Sequence, residues 1–274
     1  METKPLLIVA NWKMNPLTLK EAERIIRGFH QGIKGMKKTD FQQKVQLVIC
    51  PPTIYLGLLP KDKLWEWGGQ NTHWQMRGAY TGEVATRMIE DSGCKYVIIG
   101  HSERRKYFGE TDETVNLKLR SVVKNSLKPI VCVGETKEER DKNQTTRVIR
   151  KQLEIIFQNV SILALPRITV AYEPVWAISS MQEGVILHRT VQGVADDPND
   201  IMGIIILIRK VLSEMYRSDV VEKVRIIYGG SVTPNNIGSF LEVDIIEGFL
   251  VGGASINTFE FLPMLKKAYE SRNV

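Results

Sequence analysis

Short apolar runs and longer amphipathic stretches alternate along the chain. The apolar runs are rich in β-branched residues and nearly continuous, which is typical of strands buried on both faces of a parallel sheet. There are eight such runs, the third being the weakest: Leu6–Ala10, Val45–Cys50, Trp65–Gln70, Tyr96–Ile99, Pro129–Val133, Ile168–Tyr172, Val224–Tyr228 and Gly248–Val251. The clearest amphipathic stretches between them are Leu19–Phe29, Asp112–Lys124, Arg147–Phe157, Asp200–Met215 and Phe259–Ser271. The alternation predicts eight βα units.

Eight parallel βα units with right-handed crossovers form either an open sheet or a closed barrel. Eight is the number of strands at which a barrel closes with its interior filled by side chains. No linker or shift in composition divides the 274 residues, and this length is normal for an α/β barrel. We therefore predict an α/β fold, a single-domain (β/α)8 barrel over residues 1–274.

Composition and charge exclude several classes of protein. The chain is 43% hydrophobic and 25% charged, which argues against intrinsic disorder. No segment approaches the roughly 20 apolar residues that cross a bilayer, so we expect no membrane association. The net charge is +6, but 31 acidic residues are interleaved with 37 basic ones. This pattern does not favour nucleic acid as a partner, whereas a mild basic excess suits a small anionic substrate.

Cysteine usage indicates a reducing compartment. The three cysteines are Cys50, Cys94 and Cys132, and they can form neither a disulfide framework nor a set of paired metal ligands. The N-terminus also has no small-residue cleavage pattern after its first apolar run. We expect a cytoplasmic protein with free, buried thiols.

Polar residues and glycines follow the predicted strands within one to three positions. In a parallel barrel these positions all meet at the C-terminal face, where active sites form. They are Asn11, Lys13, Asn71, His101, Glu135, Glu173, Ser231 and Gly252. The topology thus predicts one site built from residues that are far apart in the sequence.

Two of these residues have an unusual chemical setting. His101 precedes a predicted helix that starts at Ser102, and the positive end of the helix dipole opposes protonation of the imidazole. A neutral imidazole can polarise a carbonyl and shuttle a proton. Glu173 precedes Pro174 and an apolar segment, and desolvation makes a carboxylate a stronger base. The alternatives are a histidine that caps a helix and a glutamate in a salt bridge at a strand end.

Two glycine pairs follow the last two strands, in Gly229-Gly230-Ser231 and Gly252-Gly253-Ala254-Ser255. Glycines let backbone N–H groups approach an anion closely, and phosphate sites recur at this place in barrels. Lys13 supplies a cation for a phosphate or a developing oxyanion. The sequence has no dinucleotide fingerprint, phosphate-binding P-loop or metal-ligand spacing. We predict acid–base chemistry on a small phosphorylated carbonyl compound, with no cofactor and no metal.

Longer motifs resemble those of the triosephosphate isomerase family, in the family's order and over nearly the whole chain. They are Asn11-Trp12-Lys13-Met14-Asn15, Thr81-Gly82-Glu83, the run from Gly100 to Arg105, the run from Val131 to Thr136, the run from Ala171 to Ile178, the run from Tyr228 to Val232 and the run from Val251 to Ser255. The resemblance implies a TIM barrel that interconverts dihydroxyacetone phosphate and D-glyceraldehyde 3-phosphate through an enediolate, in glycolysis and gluconeogenesis.

The resemblance also implies a role for each matching residue. Glu173 is expected to move the proton, and His101 to act as the neutral electrophile. Asn11 and Lys13 are expected to bind substrate, and Glu103 to orient the lysine. Four residues are expected to hold the phosphate: Ser179, Ser231, Gly252 and Gly253. Thr81-Gly82-Glu83 resembles the tip of the family's interface loop, which implies a homodimer.

Two departures from the family pattern leave alternatives open. After Ile178 the chain runs about a dozen residues longer than the family before Pro198 opens the next helix, and Ser179 stands where a glycine is usual. We expect Ser179–Asp197 to be a folded excursion, with Val185–Leu187 packed on the barrel or a neighbouring subunit.

The second departure is the pair His73-Trp74. It resembles a side branch that converts L-erythrulose 1-phosphate to D-erythrulose 4-phosphate, and the alternative for the pair is packing on the outer face. A third possibility, a non-catalytic barrel that binds phosphorylated metabolites, is disfavoured by the presence of Lys13, His101 and Glu173.

Overall fold

The structure, a computed structural model, describes residues 4–34, 36, 38–60, 62–177 and 197–272. Its eight parallel strands pair in chain order and close into a barrel. The strands are β1 (Leu6–Asn11), β2 (Val45–Cys50), β3 (Glu66–Gly69), β4 (Tyr96–Ile99), β5 (Lys128–Val133), β6 (Thr169–Tyr172), β7 (Arg225–Tyr228) and β8 (Gly248–Val251). The prediction of a (β/α)8 TIM barrel is confirmed. Of the excursion predicted over Ser179–Asp197, residues 179–196 lie outside the described part of the chain, and with them Ser179 and Val185–Leu187.

Helices surround the barrel in the described part of the chain. They are α1 (Leu19–Lys34), α2 (Lys38–Lys44), α3 (Thr86–Asp91), α4 (Ser102–Phe108), α5 (Asp112–Val123), α6 (Lys137–Asp141), α7 (Thr145–Ile156), α8 (Pro198–Met215), α9 (Ser218–Val221), α10 (Ile237–Leu241) and α11 (Thr258–Ser271). None of these described helices has the length and apolar character needed to span a membrane.

The strands are buried on both faces, as their continuous apolar pattern predicts. In β1, Leu7 and Val9 point into the barrel, where they join an interior cluster with residues such as Ile98 and Ile227. Leu6, Ile8 and Ala10 alternate with them and pack in the larger layer between barrel and helices. The barrel interior is therefore a filled core, and only its ends can hold a site.

Helix α1 continues past the predicted end at Phe29 to Lys34 and buries Ile33. Two glycines within it, Gly28 and Gly32, disfavour a helix by propensity. In the structure they face α11: a Cβ on Gly28 would lie 2.7 Å from Thr258 Cγ2, and one on Gly32 would lie 2.4 Å from Leu262 Cδ2. The glycines thus allow two helices to pack closely, and this packing outweighs the weak propensity.

The other predicted helices agree with the structure to within two residues at each end. Helix α8 begins at Pro198, where the sequence suggested a helix start. Asp197 caps it, because its side chain accepts a hydrogen bond from the Asn199 N–H at 2.9 Å. Proline is well suited to the first helical position, since its missing N–H would have no partner there.

Candidate active site

A cavity of about 330 Å³ opens beside the C-terminal ends of β1, β3 and β4. Residues at or just after the ends of these strands line it: Asn11, Lys13 and Met14 for β1, Gln70 and Asn71 for β3, and His101, Glu103 and Arg104 for β4. Thr53, Gly82, Glu83, Val84 and Phe108 complete the lining. The topology thus brings together groups that the sequence separates by up to 97 positions, from Asn11 to Phe108.

His101 is held between a helix start and a carboxylate. It is the residue before α4, and its Nδ1 accepts a hydrogen bond from the Glu103 N–H at 3.2 Å. Because Nδ1 is an acceptor, the ring proton lies on Nε2 in this geometry. Nε2 is 3.2 Å from Oε1 of Glu173. His101 therefore both caps a helix and presents an Nε2–H donor to the site.

Glu173 lies almost fully buried at the end of β6. Its Oε2 accepts a hydrogen bond from the Ser102 N–H at 3.2 Å, so the carboxylate sits at the N-terminus of α4. The Cys132 thiol of β5 lies close by: burial and then the negative charge of Glu173 raise the pKa of this thiol well above its usual value. A neutral thiol and a backbone donor thus flank a desolvated carboxylate.

Two glycines leave room for Glu173. A Cβ built on Gly134 would lie 1.8 Å from the Glu173 carbonyl oxygen, and one on Gly229 would lie 2.8 Å from Glu173 Cγ. Gln152 of α7 fixes Gly134, because it accepts from the Gly134 N–H at 2.9 Å and donates to its carbonyl at 3.0 Å. The backbone of Glu173 therefore packs against Gly134, and its side chain packs against Gly229.

Lys13 adopts a left-handed backbone conformation, with φ of +54°. Such a conformation costs a non-glycine residue on the order of 1 kcal/mol. Two side chains hold it: Asn11 Oδ1 accepts the Lys13 N–H at 3.1 Å, and Gln70 Nε2 donates to the Lys13 carbonyl at 2.8 Å. The Lys13 ammonium lies 2.7 Å from Oε1 of Glu103. The strained backbone thus aims the ammonium at the cavity.

The described residues that are predicted to bind phosphate follow β7 and β8. A Cβ on Gly252 would be 3.2 Å from Lys13 Cε, so this glycine touches the lysine chain. Gly253 begins a 3₁₀ turn, Gly253–Ile256, and Ser231 is anchored through its carbonyl by Asn236 Nδ2 at 2.9 Å. None of these three residues lines the cavity described above, and neither does Glu173, which borders a smaller pocket. Ser179 lies outside the described residues.

A buried carboxylate supports the segment that follows Glu173. Glu135 is fully buried, and it accepts hydrogen bonds from the Tyr172 hydroxyl and the Trp176 indole N–H, each at 3.2 Å. The Arg140 guanidinium stacks over the Trp176 ring at 4.4 Å and reaches Asp200 of α8 at 2.9 Å. The sequence marks Glu135 as a strand-end residue, but it gives no signal for these partners.

A second buried cluster of charged residues contacts the chain on both sides of His101. Glu110 accepts hydrogen bonds from the Gly100 N–H and Arg104 Nε, each at 2.8 Å, and it also pairs with the Lys118 ammonium. Burial opposes ionisation of Glu110, but Lys118 and the hydrogen bonds outweigh it and lower the carboxyl pKa. Lys118 also donates to Asn71 Oδ1 at 2.8 Å. Sequence analysis missed this cluster.

The pair His73-Trp74 belongs to the loop 72–86. The two rings stack at 4.1 Å, and Tyr80 packs on His73 at 4.5 Å. His73 is buried, and its backbone N–H donates to the Val84 carbonyl at 2.8 Å. The pair thus stabilises the loop whose tip, Thr81-Gly82-Glu83, is exposed to solvent.

The described residues contain no group of three or more His, Cys, Asp or Glu side chains placed to hold a metal ion. At this end of the barrel the Glu173 carboxylate contacts the His101 imidazole, and the imidazole and the Lys13 ammonium both line the cavity. A carboxylate can accept a proton, an imidazole N–H can serve a carbonyl oxygen, and an ammonium can stabilise negative charge.

Comparison with known proteins identifies the family of this chain. The family model described as triosephosphate isomerase matches residues 6–268. A triosephosphate isomerase of Dictyoglomus thermophilum is 43% identical over 263 residues, covering 95% of this chain and 98% of that protein. Another from Alkaliphilus oremlandii is 41% identical, with 96% and 98% covered, and one from Clostridium botulinum is 39% identical, with 94% and 98% covered. The chain therefore belongs to the triosephosphate isomerase family.

Proposed function

We propose that this chain interconverts dihydroxyacetone phosphate and D-glyceraldehyde 3-phosphate, by moving a proton between adjacent carbons through an enediolate. Membership of the family makes the chain an isomerase. The observation that supports the specific reaction is the contact of 3.2 Å between Glu173 Oε1 and His101 Nε2, beside the Lys13 ammonium. The proposed place of the reaction is glycolysis and gluconeogenesis.

In this proposal Glu173 is the base. Its carboxylate is desolvated, and few water molecules compete for the proton that it takes. The Nε2–H of His101 lies 3.2 Å from the same carboxylate. A bound substrate would replace this contact and place its two oxygens against the imidazole. An Nε2–H donor stabilises the charge that develops on an enediolate oxygen. Lys13, oriented by Glu103 and supported by Asn11, adds a fixed positive charge.

The phosphate of the substrate is proposed to lie against the backbone after β7 and β8. Ser231, Gly252 and Gly253 would offer N–H groups there, with Ser179 as a fourth donor from the segment after Ile178. Backbone N–H groups next to glycines can approach a phosphate without steric hindrance. Gly252 lies against the Lys13 side chain, which would bring the phosphate near the ammonium.

Steady-state rates on three substrates test this proposal. We expect the highest kcat/KM with glyceraldehyde 3-phosphate, compared with L-erythrulose 1-phosphate and D-erythrulose 4-phosphate under the same conditions. Glu173→Gln, which keeps the shape of the side chain and removes the base, is the matched control. A higher kcat/KM on a four-carbon ketose would replace the proposed substrate. Binding without turnover would indicate a non-catalytic barrel.

We also propose that the protein is a homodimer. The tip of the loop 72–86 is exposed, and so are the large apolar residues Met14 (86%), Leu17 (85%) and Phe108 (67%). Met14 and Phe108 line the cavity beside Lys13, so a second copy could cover apolar surface and enclose the site together. Sedimentation equilibrium at micromolar concentration should give about twice 31.2 kDa. A fully active monomer would contradict this proposal.

The compartment and the domain organisation are further proposals. The cysteines Cys50, Cys94 and Cys132 are all free and buried, and burial raises the pKa of each thiol. Thiols of this kind suit a reducing cytoplasm. We propose one domain over residues 1–274, which limited proteolysis should leave without a cut that separates two stable fragments.

A further inference from the structure

Three buried hydroxyl groups form a chain beneath the loop 72–86. Thr86 Oγ1 lies 3.1 Å from Thr72 Oγ1 and 3.0 Å from Ser121 Oγ. Thr72 Oγ1 is also 3.2 Å from the carbonyl oxygen of Val84. We call Thr72, Thr86 and Ser121 the hydroxyl ladder. Its members are exposed by 1%, 0% and 8%, so water cannot replace these hydrogen bonds at little cost.

The direction of the hydrogen bonds in the ladder follows from its end. A carbonyl oxygen only accepts, so Thr72 donates its proton to the carbonyl of Val84 or of His73, both at 3.2 Å, and must accept from Thr86. Thr86 then donates to Thr72 and accepts from Ser121. Each hydroxyl in the ladder thus donates once, and the middle member, Thr86, is bonded on both sides.

The hydroxyl ladder joins both ends of the loop to a helix. Thr72 lies where the loop begins, Thr86 is the first residue of α3, and Ser121 is in α5. Every residue from 75 to 83 is exposed, so within the described chain little packing fixes the tip. The orientation of the tip therefore depends on its base, where the ladder and the stacked rings of His73, Trp74 and Tyr80 lie.

The loop is close to the chemistry. Gly82, Glu83 and Val84 line the cavity that also contains Lys13 and His101. A shift at the loop base would therefore move a wall of this cavity and the exposed surface that meets a second copy of the chain.

We propose that Thr86 is a positioning residue. Its hydroxyl holds the two ends of the loop 72–86 on α5 and so presets the loop tip for association with a second copy. This inference rests on the homodimer proposed above. Presetting lowers the entropy lost when the tip becomes ordered against its partner, and this strengthens association.

Thr86→Val tests the proposal, because valine keeps the shape of threonine and removes the hydroxyl. Thr86→Ser is the matched control, because it retains the hydroxyl. By sedimentation equilibrium we expect Thr86→Val to raise the dimer dissociation constant roughly ten-fold, which corresponds to about 1.4 kcal/mol. Thr86→Ser should remain near the wild-type value. Specific activity of the valine variant should fall on dilution and recover at high protein concentration.

Recovery at high concentration shows that the valine variant still reaches the active fold and that its loss follows the association equilibrium. If Thr86→Val does not fold, Ser121→Ala, which removes only one bond of the ladder, should shift the same constant in the same direction by a smaller factor. A folded Thr86→Val dimer that dissociates like wild type would overturn the proposal while leaving the homodimer intact. A fully active wild-type monomer would overturn both.

Discussion

Replacing Glu110 by glutamine should destabilise the protein strongly although the shape of the side chain hardly changes. The Glu110 side chain is 2% exposed and interacts with three donors: the Gly100 N–H, Arg104 Nε and the Lys118 ammonium. Glutamine keeps one accepting oxygen but directs an NH2 group toward two cations. The variant therefore leaves positive charge in the interior without its counter-charge.

The magnitude follows from burial of the partners. Removing one member of a buried ion pair costs about 3–5 kcal/mol, because the other charge remains desolvated. The Arg104 side chain is 26% exposed and can be partly rehydrated, whereas the Lys118 side chain is only 4% exposed. Most of the loss therefore comes from Lys118, and we expect about 3 kcal/mol. This is a large share of the roughly 5–15 kcal/mol that keeps a protein folded.

The effect should also depend on pH. The folded-state pKa of Glu110 is lowered: burial raises it, but the Lys118 charge and the hydrogen bonds lower it more. A carboxyl with a lowered folded pKa stabilises the fold above its unfolded pKa of about 4.3, and the contribution is lost as the pH falls through the folded value. The difference between wild type and Glu110→Gln should thus be complete at pH 7 and shrink below about pH 4.

Urea unfolding followed by circular dichroism measures this difference at each pH. Lys118→Met and the double variant complete a double-mutant cycle, and the double variant should be more stable than Glu110→Gln alone because the unpaired ammonium is gone. A loss below about 1 kcal/mol at pH 7 would be in the range of an exposed pair and would refute the reasoning. So would a difference that stays constant down to pH 3.

Three further predictions concern the site. Glu173→Asp should lower kcat by about 100-fold or more with little change in KM, because it retracts the carboxylate by more than 1 Å; a KM effect with normal kcat would contradict the role as base. In a ¹⁵N NMR spectrum of the free enzyme, the protonated nitrogen of His101 should be Nε2, and a proton on Nδ1 would contradict the contact with Glu103. Since the Cys132 pKa is raised by burial and by Glu173, iodoacetamide at pH 8 should modify Cys132 only after unfolding.

The barrel could be predicted because burial on both faces leaves a direct trace in the sequence. The third strand has the weakest sequence pattern of the eight, and the cause is physical. Gly68 and Gly69 make up half of β3, and glycine has low strand propensity. A Cβ on Gly68 would lie 2.6 Å from Cys50 Sγ. Close packing inside the barrel therefore requires glycine, and glycine weakens the apolar pattern that predicts a strand.

The candidate site could be predicted where topology alone determines position. Lys13, His101 and Glu173 follow strands, and a closed parallel barrel brings such residues to one face. The groups that hold them could not be predicted. The hydroxyl ladder joins residues 72, 86 and 121, and Glu135 collects donors from Tyr172 and Trp176. These contacts depend on how side chains from separate elements pack, and periodicity does not record that.

Glycines that follow the last two strands can have two structural roles: they let the backbone approach a phosphate, and they leave room for neighbouring side chains. From the sequence, Gly229, Gly252 and Gly253 all indicate backbone approaching a phosphate. In the structure a Cβ on Gly229 would lie 2.8 Å from Glu173 Cγ and one on Gly252 would lie 3.2 Å from Lys13 Cε, whereas one on Gly253 meets no atom within 4 Å. Two of the three glycines therefore also make room for the side chains of Glu173 and Lys13.

Alanine substitutions separate these two roles, because alanine adds a Cβ but keeps the backbone N–H. Gly253→Ala should leave kcat close to wild type, and any change should be in KM, because its Cβ meets no protein atom and only the phosphate approaches it. Gly229→Ala should push the Glu173 carboxylate aside, and a displacement near 1 Å can cost as much as about 100-fold in kcat. Gly252→Ala should have an intermediate effect, since its neighbour is the flexible chain of Lys13. Equal losses in all three variants would mean that phosphate approach alone explains the glycines, and that the contacts with Glu173 and Lys13 do not limit the reaction.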